Sequence, residues 1–303
     1  MKKLIFIFTI LIIANISSAQ NDGSANTGLS FLKDGVGARA LAMGDAYSML
    51  ASDALGVFYN PALMNCGDNN VSLSHNISMI DYTTSSAAVK YRFGKFGIGL
   101  GLLKSGVSDI EVRTTPGAVL DKFDSQNLSV NLAMSYQIYK NISFGVTPKL
   151  LYEKIYTDEA SGFGFDIGTS YIKDNINFSF VIANLGSMNE MNIERTKLPS
   201  LVRFGGAYNY KMKNFDLLLA LEGNKVLDGG KFHIHSGIEA GYKNFLFLRA
   251  GFMSGYETKN FTAGLGLRYK GIMFDYGFIP YSDALGTGNT FTLGYNFKTD
   301  SAI

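Results

Sequence analysis

The feature that most constrains this chain is alternation. From 71 to 297 it breaks into segments of about ten residues in which apolar side chains recur at every second position. Phe261, Ala263, Leu265, Leu267 and Tyr269 share one parity, and Thr262, Gly264, Gly266 and Arg268 share the other. Leu128, Val130, Leu132, Met134, Tyr136 and Ile138 repeat the pattern against Ser129, Asn131, Ala133, Ser135 and Gln137. Period two belongs to strands, whose side chains point alternately to the two faces of a sheet. A soluble sandwich would place long charged side chains on its outer polar face. Here the polar parity is rich in Gly, Ser, Thr and Asn, and the apolar parity often ends in Tyr or Phe. An apolar exterior, a polar lumen and aromatic girdles are what a membrane barrel requires. Open sheet edges cannot exist in lipid, so such strands must close on themselves.

Fourteen segments are counted: 71–80, 84–93, 96–105, 127–139, 142–154, 162–172, 176–185, 201–210, 215–223, 232–242, 245–253, 260–269, 272–279 and 290–297. The even number suits a single-chain bacterial barrel. The links alternate in length. Tight turns at 94–95, 140–141, 173–175, 211–214, 243–244 and 270–271 are separated by longer links at 106–126, 155–161, 186–200, 224–231, 254–259 and 280–289. Short periplasmic turns and longer extracellular loops give this alternation. Every short turn carries a lysine, read as turn chemistry and solubility rather than a binding patch. The expected fold class is all-β: a 14-stranded antiparallel transmembrane β-barrel with an N-terminal plug.

The first residues carry an export signal. Lys2 and Lys3 precede an apolar run from Leu4 to Ala14, and Ser17-Ser18-Ala19 offers small residues for cleavage. Residues 1–19 are expected to be a signal peptide, because the apolar run is too short for a spanning helix. Without Lys2 and Lys3, 25 basic and 25 acidic residues remain, a balance that points to no nucleic-acid partner. Cys66 is the only cysteine, so no intramolecular disulfide supports the fold. Residues 20–70 are rich in Gly, Ala and Met rather than in the polar residues of a disordered tail. They are assigned as a plug, with short helices expected within 38–54. It is taken to start on the periplasmic side and fold into a lumen too wide for wall side chains alone. The barrel is assigned to 71–298 and a tail to 299–303.

The plug region carries a signature. Gly37-Ala38-Arg39-Ala40, Met43-Gly44-Asp45, Asp53-Ala54 and Phe58-Tyr59-Asn60-Pro61-Ala62, at this spacing within 31–64, resemble the PorV/PorQ family of outer-membrane proteins. That family is similar to the FadL-like barrels, which also have fourteen strands and an N-terminal hatch. The sequence departs from the family at Asp45, where relatives often have a second glycine, and at Leu63-Met64, where Gly-Leu is common. The resemblance implies an auxiliary component of type IX-like protein secretion, with secretion-system subunits or cargo C-terminal domains as partners. Its FadL-like side implies instead an uptake channel for a hydrophobic small molecule. Membrane lipids are partners on either reading.

Parity places twelve charges in the lumen: Lys90, Arg92, Lys149, Arg203, Arg249 and Arg268 against Glu153, Asp166, Asp216, Glu222, Glu239 and Asp275. Charges in a lumen must be paired or solvated. A balanced set reads as an internal network that holds the plug, since an ion-selective pore would show one sign in excess. Arg39 and Asp45 are expected to join it. Pro61 fixes its own φ and biases Asn60 to extended geometry, which predicts a turn. His233 and His235 share a face with Glu239, but no ligand cluster supports a metal. Ser74 and His75 are adjacent on a strand, point to opposite faces and cannot form a hydrolase pair. Neither a cofactor nor an enzymatic activity is expected. Leu103, Val181, Leu218, Phe247 and Met273 fall on the mostly polar parity, where an uptake channel would need an apolar pocket.

Overall fold

The computed structural model describes residues 26–297. The expected signal peptide (1–19), the first six residues of the expected plug and the expected tail (299–303) lie outside them. Fourteen strands close into one antiparallel barrel. In chain order they are β1 (Asn69–Ile77), β2 (Thr83–Phe93), β3 (Phe96–Val112), β4 (Asp121–Tyr139), β5 (Ile142–Ile155), β6 (Asp158–Lys173) and β7 (Ile176–Met188). They continue as β8 (Leu201–Lys211), β9 (Phe215–Val226), β10 (Phe232–Tyr242), β11 (Leu246–Met253), β12 (Phe261–Tyr269), β13 (Ile272–Pro280) and β14 (Thr287–Phe297). Each neighbours the next, and β1 pairs with β14 from Asn69↔Phe297 to Ile77↔Asn289. Every alternating segment in the sequence overlies one of these strands.

The alternation becomes two surfaces. Along β3, Gly97, Gly99, Gly101, Leu103 and Ser105 are buried, while Leu100 and Leu102 between them are each 47% exposed. The same parity holds on β14, where Thr290 and Thr292 are buried and Phe291, Leu293 and Tyr295 are exposed. An apolar belt running round a whole barrel has no place in water; it is the face of a barrel set in lipid. Aromatic rings crowd the short-turn end of that belt. Phe96 meets Tyr136 at 4.6 Å and Phe215 meets Tyr242 at 4.8 Å.

The links depart from strict alternation of length. Residues 156–157 alone join β5 to β6, so this link is a tight hairpin and not a long loop. Much of 106–126 is strand, because β3 runs to Val112 and β4 starts at Asp121. In both places the strands continue past the apolar belt. There both faces meet water, so pairing persists after the hydrophobic pattern has ended. The link 189–200 carries its own two-stranded ribbon, Glu190–Met191 against Glu194–Arg195.

Residues 26–68 lie against the inward faces of the strands. Gly28 N donates to Lys197 O and Asn26 Nδ2 to Asp228 O, both in long links. Asn65 Nδ2 donates to Lys95 O and to Ser143 Oγ, at the short-turn end. The segment therefore traverses the lumen from the long-loop mouth to the short-turn mouth, where β1 begins. The expected helices within 38–54 reduce to one short helix, α1 (Ala38–Ala42), followed by 3-10 turns at Ala54–Phe58 and Pro61–Leu63. Between these elements the chain turns to follow the wall.

Candidate functional site

The small residues of the signature let the segment touch the wall with its backbone. Gly44 has φ +64, and a Cβ there would lie 2.7 Å from Ser236 O and 2.8 Å from Phe252 N. Gly251 faces it across the contact and has no room for a side chain either. Beside them one hydroxyl serves both directions: Thr262 Oγ1 donates to Ala42 O (3.0 Å) and accepts from Gly44 N (3.1 Å). At the start of α1, Ala38 N donates to Thr292 Oγ1 at 2.9 Å. Gly37, Ala38, Met43 and Gly44 thus form a docking strip, with Ala38 and Met43 fully buried. Asn60 is extended at φ −149; its Oδ1 accepts from Ala62 N and caps the turn that Pro61 opens, while its Nδ2 donates to Ser48 O. The turn expected from Asn60-Pro61 is present, and it pins two parts of the segment together.

The lumen charges resolve into separate clusters rather than one network. In the first, Arg39 forks onto Glu239 (2.9 and 2.7 Å) and Arg249 bridges Glu239 (2.5 Å) to Asp275 (2.7 Å). Arg268 closes the chain with a second fork onto Asp275 at 2.9 and 2.9 Å. In the second, Arg203 lies between Asp45 (3.0 Å) and Glu222 (3.2 Å). Glu222 also accepts from Ser48 N at 2.9 Å and Ser48 Oγ at 2.5 Å. Asp45 has φ +58, a left-handed conformation that favours glycine. Its carboxylate offsets that cost through Arg203 and a 2.7 Å bond from Tyr59 Oη. Tyr47 Oη likewise donates to a carboxylate of the segment, Asp53, at 2.6 Å.

The first cluster has three arginines and two acids, and the second has one arginine and two acids. Together they balance at four against four, and each borrows one residue, Arg39 or Asp45, from the segment. A third cluster belongs to the wall: Lys149 pairs with Asp166 at 2.8 Å and donates to Asn184 Oδ1 at 2.7 Å. Asn184 sits at a register shift with φ +60 and also donates to Leu32 O of the segment. Lys90 is fully buried and donates to the backbone carbonyls of Ser52 and Cys66. Glu153 accepts from Thr196 Oγ1 at 3.1 Å. Two of the twelve stand apart: Arg92 is exposed and Asp216 half-buried, at the short-turn rim, and neither forms an ion pair among the described residues.

Two recesses open at that rim. The larger, about 520 Å³, is lined by Arg39, Arg92, Lys140 and Lys211 with Asp174, over a floor that includes Met49, Leu50 and Leu218. A smaller one of about 270 Å³ continues it beneath Arg39 toward Asp216 and Glu239. The five apolar lumen residues do not gather in one pocket; Leu218 and Phe247 alone share one, the smaller recess. Leu103 and Leu218 belong to the main buried apolar cluster, and Val181 packs in a separate one with Ala183 and Leu201. Phe247 lies under the guanidinium groups of Arg249 and Arg268, and Met273 faces Gly294. No metal-ligand cluster exists among the described residues. His235 Nε2 instead meets Tyr256 Oη at 3.0 Å, and His233 stacks on Tyr256 at 4.1 Å. Ser74 bonds inward to Thr292 while His75 turns out to Ser85.

Sequence reasoning missed Ser48, Tyr59, Thr262, Thr292 and Asn184, which carry much of the docking. Parity marks Thr262 and Thr292 as lumen-facing but gives no sign of a partner. Ser48 and Tyr59 lie in a segment without periodicity.

No family model and no curated protein matches the sequence. Among solved structures, the chain is similar to the toluene transporter TodX of Pseudomonas putida, with a TM-score of 0.63 and 14% identity over 88% of this chain and 99% of that one. It is also similar to a Pseudomonas aeruginosa FadL homologue, with a TM-score of 0.55 and 12% identity over 87% of this chain and 98% of that one. Neither sequence comparison supports the PorV/PorQ resemblance. What the likenesses establish is the fold, and the chain has the closed fourteen-stranded architecture of the FadL-type outer-membrane barrels.

Proposed function

We propose that this outer-membrane barrel is a gated conduit for a hydrophobic small molecule, with its N-terminal segment as the plug. The observation that carries this reading is the asymmetry of the contact between segment and wall. On the β8–β14 side the contact is ionic and hydrogen-bonded, through Arg39–Glu239, Asp45–Arg203 and Thr262. Near the long-loop mouth it is apolar: Leu29 and Phe31 of the segment share one buried cluster with Leu103, Leu151, Met188 and Leu198. A hydrophobic solute can replace apolar contacts at little cost, while the ionic side stays anchored. The likeness to TodX, a toluene transporter, and to a FadL homologue supports the same reading. No catalytic step is part of it, and export through residues 1–19 is proposed with it.

The test is binding of toluene and of oleate to the purified barrel in neutral detergent. Saturable binding that weakens in Phe31→Ala and Leu103→Ala supports uptake. Absence of binding for both, with folding intact, overturns it. A second reading, an auxiliary role in protein secretion as the PorV/PorQ resemblance implies, is favoured by the height of β3–β6. These strands have 17, 19, 14 and 16 residues, against 9–13 in most of the others, and the links between them carry the exposed apolar side chains Leu120 and Tyr156. Isolation from native membrane in mild detergent separates the readings: secretion subunits or cargo C-terminal domains favour this one, and bound hydrophobic molecules without a protein partner favour the first.

A further inference from the structure

The lysines of the short turns do not all do the same thing. Lys243 lies over the Tyr242 ring at 5.2 Å and Lys270 over the Tyr269 ring at 5.4 Å, so both face the outer aromatic girdle. Lys140 and Lys211 turn the other way and line the recess of about 520 Å³ within the mouth. Arg92 and Arg39 join them there, and Asp174 is the only acid in the lining among the described residues. Arg92, Lys140 and Lys211 have no ion pair among the described residues, and all three are exposed. In the two arginine clusters charges cancel four against four, Arg39 among them through Glu239; here three further cations, Arg92, Lys140 and Lys211, face one carboxylate.

The rest of the lining specifies the ligand further. Asn65, Gln137, Asn141, Asn175, Asn177 and Asn209 surround the cations. Asn65, Gln137 and Asn177 already donate to Lys95 O, Lys140 O and Met49 O, whereas the amides of Asn141, Asn175 and Asn209 can both donate and accept, as a peptide backbone does. Among the described residues no aromatic ring lines the recess, and its lining is amide and cationic rather than a stacking platform. The volume lies within the range of about 300–1,000 Å³ that holds a compact ligand. Short turns face the periplasm in barrels of this kind, so the recess opens toward that compartment.

We propose that this recess docks an acidic, extended peptide segment offered from the periplasmic side, with Lys140 and Lys211 pairing its carboxylates and the amides pairing its backbone. The site is separate from the apolar contact on which the uptake reading rests, and either can fail alone.

The experiment uses the barrel in phosphatidylcholine nanodiscs and a fluorescein-labelled tetra-aspartate peptide as probe. Saturable anisotropy binding is expected, weakened about tenfold in Lys140→Gln/Lys211→Gln and unchanged in Lys243→Gln/Lys270→Gln. Asn141→Trp keeps the charge and fills the opening, and it too should weaken binding. Heat-modifiable migration on gels shows that each variant is folded. Equal loss in both lysine pairs would mean a diffuse cationic rim and overturn the proposal, as would no saturable binding. Inorganic phosphate competing as well as the peptide would reduce the site to a simple anion site. Loss of peptide binding on adding phosphatidylglycerol to the nanodisc would assign the lysines to lipid headgroups; either result overturns the peptide assignment.

Discussion

At the scale of residues, the lumen is held by charges whose partners come from distant parts of the chain. Arg203 is 5% exposed between Asp45 and Glu222. Arg203→Gln strands two carboxylates against each other and should cost about 3–5 kcal/mol of stability. Adding Glu222→Gln removes one of them and should restore part of the loss, and urea unfolding in detergent reads both. If the double variant is no more stable than the single one, repulsion is not the cause. Arg39→Ala should cost less, about 2 kcal/mol, because the Arg39 side chain is 25% exposed and Glu239 keeps Arg249. Cys66 offers a different probe. Burial pushes its thiol above the ordinary range, against the pull of Lys90 and Arg92, so little thiolate is present near neutral pH. Maleimide labelling of the native barrel should be slower than that of an exposed cysteine and should rise as the pH is raised. Labelling at the exposed rate at neutral pH would mean that the Cys66 environment opens in solution. These partners were not legible in the sequence. Parity says that Glu239 faces the lumen, but Arg39 lies 200 residues away, and only the path of the segment brings them together.

At the scale of elements, the sequence is legible wherever a strand is solvated differently on its two sides, and it goes dark elsewhere. All fourteen strands show as alternation because lipid touches one face and the polar lumen the other. The β5–β6 hairpin was expected to be a long loop, because Ile155-Tyr156-Thr157-Asp158-Glu159 meets water on both faces and the pattern stops while the pairing Ile155↔Asp158 continues. The N-terminal segment is darker still. Its residues pack on all sides, so no period marks a face, and the expected start on the periplasmic side is reversed: the described part of the segment begins at the long-loop mouth. The structure supplies the direction: Asn26 is exposed at the long-loop mouth and Asn65 lies at the short-turn mouth. A cysteine at Asn26, in a Cys66→Ser background, should therefore be labelled on intact cells by a membrane-impermeant maleimide. One at Lys140 should be labelled only after the outer membrane is breached. Labelling of both, or of Lys140 alone, would invert the barrel or remove the segment from the lumen.

At the scale of the whole molecule, a barrel of this circumference would leave an aqueous channel if side chains alone had to fill it. Here residues 26–68 lie against the inner wall, and their contacts with it are uneven. The ionic side carries Arg39, Asp45 and the Thr262 hydroxyl, whereas the side nearer β3–β7 is held by apolar packing and by bonds such as Asn184 Nδ2 to Leu32 O and Lys90 to Ser52 O. The barrel wall does not depend on that segment, because β1 pairs with β14 along nine residue positions and closes the sheet by itself. A chain lacking 26–64 should therefore still reach the outer membrane and still migrate faster unheated than boiled. Its single-channel conductance in planar bilayers should rise several-fold over that of the full chain, which should conduct little. A deletion that remains heat-modifiable with unchanged conductance would mean that the segment does not close the lumen. The Arg39→Ala and Arg203→Gln/Glu222→Gln variants then rank the two anchors. If the ionic side is the hinge, Phe31→Ala, which loosens the apolar side that swings away, should by itself produce openings, and Arg39→Ala should not. If the apolar side is the hinge, Arg39→Ala alone should open the channel, and the asymmetry on which the uptake reading stands would be reversed.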